Sequence, residues 1–157
     1  MRLNVPVPMR WSDLDAYGHV NNVEVLRLLE EARIHLLWAP DAAEPDVNAP
    51  ALLGASPAAG NRGLIARQEI EYLKAVPYFR TPLDVEVWVG RVGGASFQLC
   101  YQVFSPKGVQ PRVLYARAST TTVMVDARTG SPQRVDDAAR TAFLPYQEDP
   151  IDFSRRS

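Results

Sequence analysis

The sequence is poor in cysteine and histidine and has no long apolar run. Cys100 is its only cysteine, so no intramolecular disulfide can form, and two histidines alone do not make a metal site. No apolar stretch is long enough to cross a bilayer, and the first residues, MRLNVPVPMRW, lack the apolar centre of a signal peptide. We therefore predict a cytoplasmic protein without a metal site or a membrane span.

Blocks of charge of one sign are also missing. Seventeen basic and eighteen acidic residues are mixed along the chain and leave a net charge of −1. No basic stripe is available to bind a nucleic-acid backbone, so we predict no nucleic-acid partner. The length of 157 residues and the 46% hydrophobic content suit one domain with a continuous core.

Apolar periodicity predicts the secondary structure. Alternating apolar residues predict a strand over 3–11, and its two prolines favour a place at a sheet edge. Apolar residues at helical spacing predict a helix over 23–38. Residues 39–63 are rich in Pro, Ala and Gly, which predicts a long connection with one helical turn around residues 51–55 and favours a role as a lid. Further alternating segments predict four strands, at 64–72, 83–89, 97–103 and 112–126. Gly93-Gly94 predicts a tight hairpin between the second and third of these strands, because glycine accepts the positive φ angles that such turns need.

These elements predict an α+β domain with one antiparallel sheet of about five strands. The helix also carries Val23, Ile34 and Trp38 among its charged residues, so we expect a sheet to wrap around it as a long central helix. One helix cannot cover both faces of the sheet, and a homodimer is the natural expectation. We place the domain boundary at residue 135, followed over 136–157 by a short helix and a polar tail.

The stretch SDLDAYGHVNN, residues 12–22, gathers polar residues directly before the long helix. Asn21 or Asn22 is expected to cap the helix, and Gly18 to take a backbone angle that other residues resist. One cap needs one residue, and the surplus of polar groups indicates a site. Helix N–H groups can bind a developing oxyanion, and a nearby carboxylate can attack or activate water. A carboxylate beside such N–H groups is the smallest set of groups that acyl transfer requires.

The run WSDLDAYGHVNN with LRLLEEAR in the helix resembles the signature of the hotdog-fold acyl-CoA thioesterases related to 4-hydroxybenzoyl-CoA thioesterase. EIEYL at 69–73 and VMVD at 123–126, followed by a Thr-Gly turn, extend the resemblance. It implies a hotdog fold, dimers joined by their sheet edges that can pair into tetramers, and sites at the dimer interface. The second acid of the motif, Asp15, is implied as nucleophile or general base. The oxyanion contact falls near Asn21 and Asn22.

Other residues of the site follow from the same resemblance. We predict that the substrate is bound by four residues: Gly18, Val25, Leu29 and Tyr72. Val25 or Leu29 stands where many relatives have a tyrosine, which changes the shape of the acyl pocket. His19 could act as a general acid, orient Asp15, or only brace the turn. Asp13, His35 and Cys100 are interpreted as structural residues.

The sequence thus predicts hydrolysis of an acyl-CoA thioester to a free acid and coenzyme A. The carbonyl of a thioester is less stabilised by resonance than that of an ester, and the thiol leaves readily. A carboxylate with fixed N–H donors can therefore suffice for hydrolysis without a serine nucleophile. The coenzyme A phosphates would bind arginine or lysine, with four candidates: Arg62, Lys74, Arg91 and Arg128. The alternatives are an acyl-carrier-protein thioesterase and a non-catalytic acyl-thioester-binding module.

Overall fold

The computed structural model describes residues 1–40, 50–54 and 61–154. Five strands and two α-helices account for most of these residues. In chain order they are β1 (Leu3–Val7), α1 (Asn22–Leu37), β2 (Asn61–Tyr72), β3 (Leu83–Val92), β4 (Ser96–Phe104), β5 (Leu114–Asp126) and α2 (Asp137–Phe143). Among the described residues, no helix has the length and apolar content needed to span a membrane.

The five strands form one antiparallel sheet in the order β1-β3-β4-β5-β2. The predicted antiparallel sheet of five strands is therefore confirmed. β1 lies at one edge, as its prolines indicated, because a proline cannot donate to a second neighbour. β2, with 12 residues, forms the other edge, and among the described strands it pairs with β5 alone.

Helix α1 packs its apolar side on the inner face of the sheet, against β1 and β3. Val25, Leu28, Leu29, Ala32 and Leu36 form this buried side, at the spacing that the sequence shows. The expectation of a single long central helix is not confirmed, since α1 has 16 residues and α2 follows later in the chain. The sheet also leaves the second apolar side of α1 uncovered, with Val23 and Ile34 exposed.

The connections follow the sequence with two differences. Strands β3 and β4 are joined by the predicted hairpin, in which the Gly93 N–H donates to the Ser96 carbonyl at 2.7 Å. Neither glycine of this turn has a positive φ, so the reason given for their presence was wrong. Where a helical turn was predicted, residues 51–54 form a tight turn instead, in which the Gly54 N–H donates to the Ala51 carbonyl at 2.8 Å, and Leu52 enters the core. The rest of the predicted lid, 41–49 and 55–60, lies outside the described residues.

Residues 137–154 pack against the sheet around the end of the β3–β4 hairpin. Phe143 is fully buried, with its ring 4.9 Å from that of Phe97 on the inner face. Farther along, the Trp88 indole N–H on the outer face donates to the Asp149 carbonyl at 3.0 Å. The C-terminal segment therefore covers part of both sheet faces, and the domain boundary at residue 135 stays a prediction.

Candidate active site

The polar stretch before α1 folds as a short hairpin. Leu14 pairs with Val20, and the Asp15 N–H donates to the His19 carbonyl at 2.8 Å. Gly18 lies in the closing turn with φ +77°, where a side chain would be strained although no atom crowds the position. The hairpin thus holds Asp15 near its tip and leads directly into the first turn of α1.

The Asp15 carboxylate is fixed by backbone groups of its own turn. Its Oδ1 accepts hydrogen bonds from the N–H of Tyr17 at 2.8 Å and from the N–H of His19 at 3.3 Å. Its Oδ2 has no hydrogen-bond partner among the described residues, and the side chain is half-buried. One oxygen is therefore held in place while the other is available to attack a carbonyl or to accept a proton from water.

Asp13, two residues earlier, is fully buried and surrounded by cationic groups. Its carboxylate accepts from the Arg10 backbone N–H at 2.7 Å, from the Arg10 guanidinium at 3.0 and 3.1 Å, and from Arg27 of α1 at 2.9 Å. Burial alone would raise the pKa of Asp13, but the Arg10 hydrogen bonds and the Arg27 charge outweigh it and lower the pKa. Asp13 fastens the start of the hairpin to α1.

The first turn of α1 is capped by Asn21, whose Oδ1 accepts from the Val23 N–H at 3.0 Å. Among the described residues, the N–H of Asn22, the first helical residue, has no partner. The helix dipole makes this N–H partly positive, so it can bind an oxyanion. No hydrogen bond joins Asp15 to this turn within the described chain.

His19 takes part in the hairpin through its main chain. Its backbone pairs with Pro77 on the far side, and the neighbouring Val20 N–H donates to the Val76 carbonyl at 2.9 Å. The imidazole is exposed, and within the described part of the chain it makes no hydrogen bond to Asp15. These contacts belong to the main chain, so the three roles predicted for the His19 side chain stay predictions.

Tyr72, at the end of β2, borders the helix start. Its hydroxyl donates to the Asn22 carbonyl at 3.0 Å, and burial raises the pKa of the phenol. Val25 and Leu29 lie on the buried side of α1, with exposed fractions of 2% and 1%, so they belong to the core of this chain. Their predicted contact with substrate stays a prediction, as does that of Gly18.

The four predicted phosphate-binding residues are not brought together. Arg62 lies near the start of β2, and Lys74 lies two residues after its end. Arg91 of β3 lies on the outer face of the sheet, where it lines the same pocket as Arg67. Arg128 lies in the turn after β5, where its backbone N–H donates to Asp126. No group of three His, Cys, Asp or Glu side chains in the described residues is arranged to hold a metal ion.

Sequence reasoning missed Arg33, which is 9% exposed on the buried side of α1. A signal was available, because Arg33 follows Leu29 by one helical turn and so falls on the apolar side. The two arginines that hold Asp13 were missed as well. Their contacts depend on the approach of the hairpin to α1, which local sequence patterns do not show.

A five-stranded antiparallel sheet packed on one helix is the arrangement of the hotdog-fold thioester hydrolases. The chain is an enzyme of this class. It belongs to the Thioesterase-like superfamily, whose family model matches residues 9–143. This match spans the hairpin, both helices and the whole of the sheet except β1.

Solved structures support the fold. The chain is similar to the PA5185 protein of Pseudomonas aeruginosa, with 24% identity and a TM-score of 0.76 over 95% of this chain and 94% of that one. It is also similar to the PA2801 protein of the same organism, with 28% identity and a TM-score of 0.68 over 90% and 98%. The DHNA-CoA thioesterase of Staphylococcus aureus shares 18% identity, with a TM-score of 0.72 over 92% and 89%. Among curated proteins, none matches this chain.

Proposed function

We propose that this enzyme hydrolyses acyl-CoA thioesters, with Asp15 as nucleophile or general base and the N-terminus of α1 as oxyanion hole. The observation that carries the proposal is the Asp15 carboxylate, held through Oδ1 by two backbone N–H groups while Oδ2 has no partner among the described residues. A fixed carboxylate loses little freedom when it meets a bound carbonyl.

In the first route, Asp15 Oδ2 attacks the carbonyl carbon and the coenzyme A thiolate leaves, after which water hydrolyses the acyl-aspartyl anhydride. In the second route, Asp15 takes a proton from water, the water oxygen attacks the carbonyl, and the thiolate leaves and is protonated. In both, the negative charge on the carbonyl oxygen would be stabilised by the Asn22 N–H. Only water, a carboxylate and N–H donors are needed, so we propose no metal or redox cofactor.

The proposal extends to a homodimer, which could pair further into a tetramer, and to a location in the cytoplasm. β2 is a long edge strand with one side unpaired in a single chain, and such edges form sheets with a second copy. Tyr72 lies at the end of this edge, against the helix start, so a partner strand would run beside the proposed site. Gly18, Val25 and Leu29 would then shape the place of the acyl group.

The test is the Asp15→Asn variant, assayed by thiol release with short, long and aromatic acyl-CoAs. We expect a loss of roughly 10²- to 10⁴-fold in kcat, the range for removal of a general base, with binding retained. His19→Ala is the control for disturbance of the hairpin, since its ring makes no hydrogen bond to Asp15 in the described chain. It should lose far less activity.

Two outcomes would change the proposal. Hydrolysis of acyl groups on an acyl carrier protein but not on coenzyme A would assign the enzyme to the carrier-bound substrates. If the wild type binds acyl-CoAs but hydrolyses neither these nor acyl groups on a carrier protein, it is a binding module, and the catalytic role of Asp15 is contradicted.

A further inference from the structure

A groove separates the C-terminal half of α1 from the first residues of β2. Its volume is about 340 Å³, which is within the range of small-ligand pockets. Its walls are largely apolar, and Ile34, Leu64 and Ile65 are among the exposed hydrophobic residues of the chain. A groove of this composition suits a hydrocarbon chain.

The groove has polar groups at its buried side. Arg33 and Thr122 both line it, with exposed fractions of 9% and 2%, and the Thr122 hydroxyl has no hydrogen-bond partner among the described residues. The fully buried Tyr101 is not a lining residue, and its hydroxyl lies beside Arg33 and Thr120. Burial raises the pKa of Tyr101, while the nearby Arg33 charge opposes the rise. A buried hydroxyl without a partner is costly, so Thr122 indicates that a polar group of a ligand belongs here.

The shape of the groove depends on Gly63. A Cβ added at this position would lie 2.7 Å from the Thr122 methyl carbon, closer than real Cβ atoms come. Because Gly63 has no side chain, its backbone can lie close to the Thr122 side chain of the neighbouring strand β5. A larger residue would push into the floor of the groove.

The groove and the proposed active site lie along the same pair of elements. Tyr72, at one end of β2, contacts Asn22 at the start of α1, and Gly63, near the other end of β2, faces the segment around Arg33. Arg33 follows Asn22 by eleven residues, about 16 Å along the helix axis. An arginine side chain leans toward the N-terminus of its helix, which shortens the distance that an acyl group has to cover.

We propose that this groove binds the end of the acyl group remote from the thioester, and that Arg33, with the Thr122 hydroxyl, recognises a carboxylate there. The substrates would be thioesters of dicarboxylic acids, with methylene groups on the apolar walls. A guanidinium binds a carboxylate through two parallel hydrogen bonds, and hydroxyls can donate to its remaining lone pairs. This inference rests on the proposed thioesterase function and adds the class of acyl group.

Glu30 is the group that competes with such a substrate. Its Oε1 lies 3.3 Å from the Arg33 guanidinium, and its side chain is 58% exposed. An ion pair with so exposed a partner contributes little to stability, so a bound carboxylate can displace Glu30 into solvent. Glu30 therefore supplies a matched control, because Arg33→Met and Glu30→Gln remove the same ion pair.

The experiment compares two coenzyme A thioesters of equal chain length, one ending in a carboxylate and one in a methyl group. We expect the wild type to prefer the carboxylate by kcat/KM. Arg33→Met should reduce this preference by roughly 10- to 100-fold, the worth of a charged hydrogen bond. Glu30→Gln should keep or increase the preference, and Arg33→Lys should restore part of it. If Arg33 only stabilised the fold through Glu30, Arg33→Met and Glu30→Gln would change the preference in kcat/KM to the same extent.

The same preference, measured as a ratio of Kd values by calorimetry on Asp15→Asn, tests the inference without turnover. Equal affinity of this variant for the two thioesters, or an unchanged ratio after Arg33→Met is added, would overturn it. Activity of Arg33→Met on the methyl-terminated thioester would show that the variant folds, and Thr122→Val gives a milder second change. Hydrolysis that depends on Asp15 but ignores the acyl terminus would refute the inference alone, whereas loss of the Asp15 dependence would refute the proposed function.

Discussion

At the scale of single residues, the site shows how two identical side chains take different roles. Asp13 ends a 3₁₀ turn over Trp11–Asp13, whereas Asp15 lies in the hairpin that follows, so the two side chains lie in different surroundings. Asp13 is buried between Arg10 and Arg27, and all of its capacity as an acceptor serves the fold. Asp15 is half-buried and keeps one oxygen without a partner in the described chain. The geometry therefore favours a structural role for the first and a chemical role for the second.

Asp13→Asn should destabilise the protein by roughly 1.5 to 3 kcal/mol, the worth of hydrogen bonds to a charged group. The amide keeps the size of the carboxylate but cannot accept from both arginines, and one of its atoms would point a donor at them. Urea unfolding of Asp13→Asn, with Asp15→Asn as control, measures the effect. Equal stability of the two variants would show that the contacts of Asp13 contribute nothing.

The stabilisation by Asp13 should also depend on pH. Its pKa in the folded protein is lowered, so the ionised form is favoured by folding. The contribution is complete above the pKa of the unfolded chain, about 3.9, and is lost as the pH falls through the lower pKa of the folded state. The stability difference between wild type and Asp13→Asn should therefore be constant near neutral pH and shrink in acid. A difference that grew in acid would contradict the assignment.

At the scale of elements, the start of α1 joins a structural cap to a proposed oxyanion hole. Asn21 satisfies one N–H of the first turn, and the next residue, Asn22, begins the helix with an N–H that has no partner among the described residues. A helix needs its cap for stability, and a catalytic helix start needs one N–H left open. The two neighbouring asparagines divide these tasks.

Asn21→Ala should lower the stability of the protein by about 0.5 to 2 kcal/mol, the usual cost of losing an N-cap. Asn22→Ala is the matched control, because its side chain caps nothing and its backbone N–H is kept. Thermal unfolding of both variants, beside thioesterase assays, separates the two roles. An equal loss of stability in both would contradict the capping role of Asn21.

At the scale of the whole molecule, one edge of β2 has no strand partner among the described residues. Tyr72 is exposed at the end of this edge, and Val23 of α1 is exposed near it, whereas Ile34, Leu64 and Ile65 line the proposed acyl groove. A second copy of β2 would extend the sheet through backbone hydrogen bonds and remove Val23 and Tyr72 from water. The proposed homodimer is thus the assembly that these exposed groups favour.

Leu64→Lys should weaken this dimer, because a charge on an edge strand opposes strand pairing. Light scattering coupled to gel filtration should show a shift toward monomer at equal concentration. Leu144→Lys, at an exposed leucine outside the sheet, is the control and should leave the assembly unchanged. A dimer that survived Leu64→Lys would place the interface elsewhere.

The sequence by itself determined the elements and indicated the position of the proposed site. Alternating apolar residues define the five strands and helical spacing defines α1, because each pattern depends on neighbours that are close along the chain. The prolines of β1 indicated an edge strand, and the motif before α1 carried the family signature with Asp15 in it. The C-terminal residues 144–154, in contrast, were predicted only as a polar tail, although Trp88 and Arg2 bind them on the sheet.

Only the tertiary structure decided which groups meet across the chain. Asp13 and Asp15 look alike in sequence, and their difference arises because Arg27 reaches one of them from α1. The groove beside Arg33 exists because β2 returns along a helix that lies far from it in sequence, with Gly63 above Thr122. Such contacts depend on packing between distant segments, and packing follows from the sum of all side-chain volumes rather than from any local pattern.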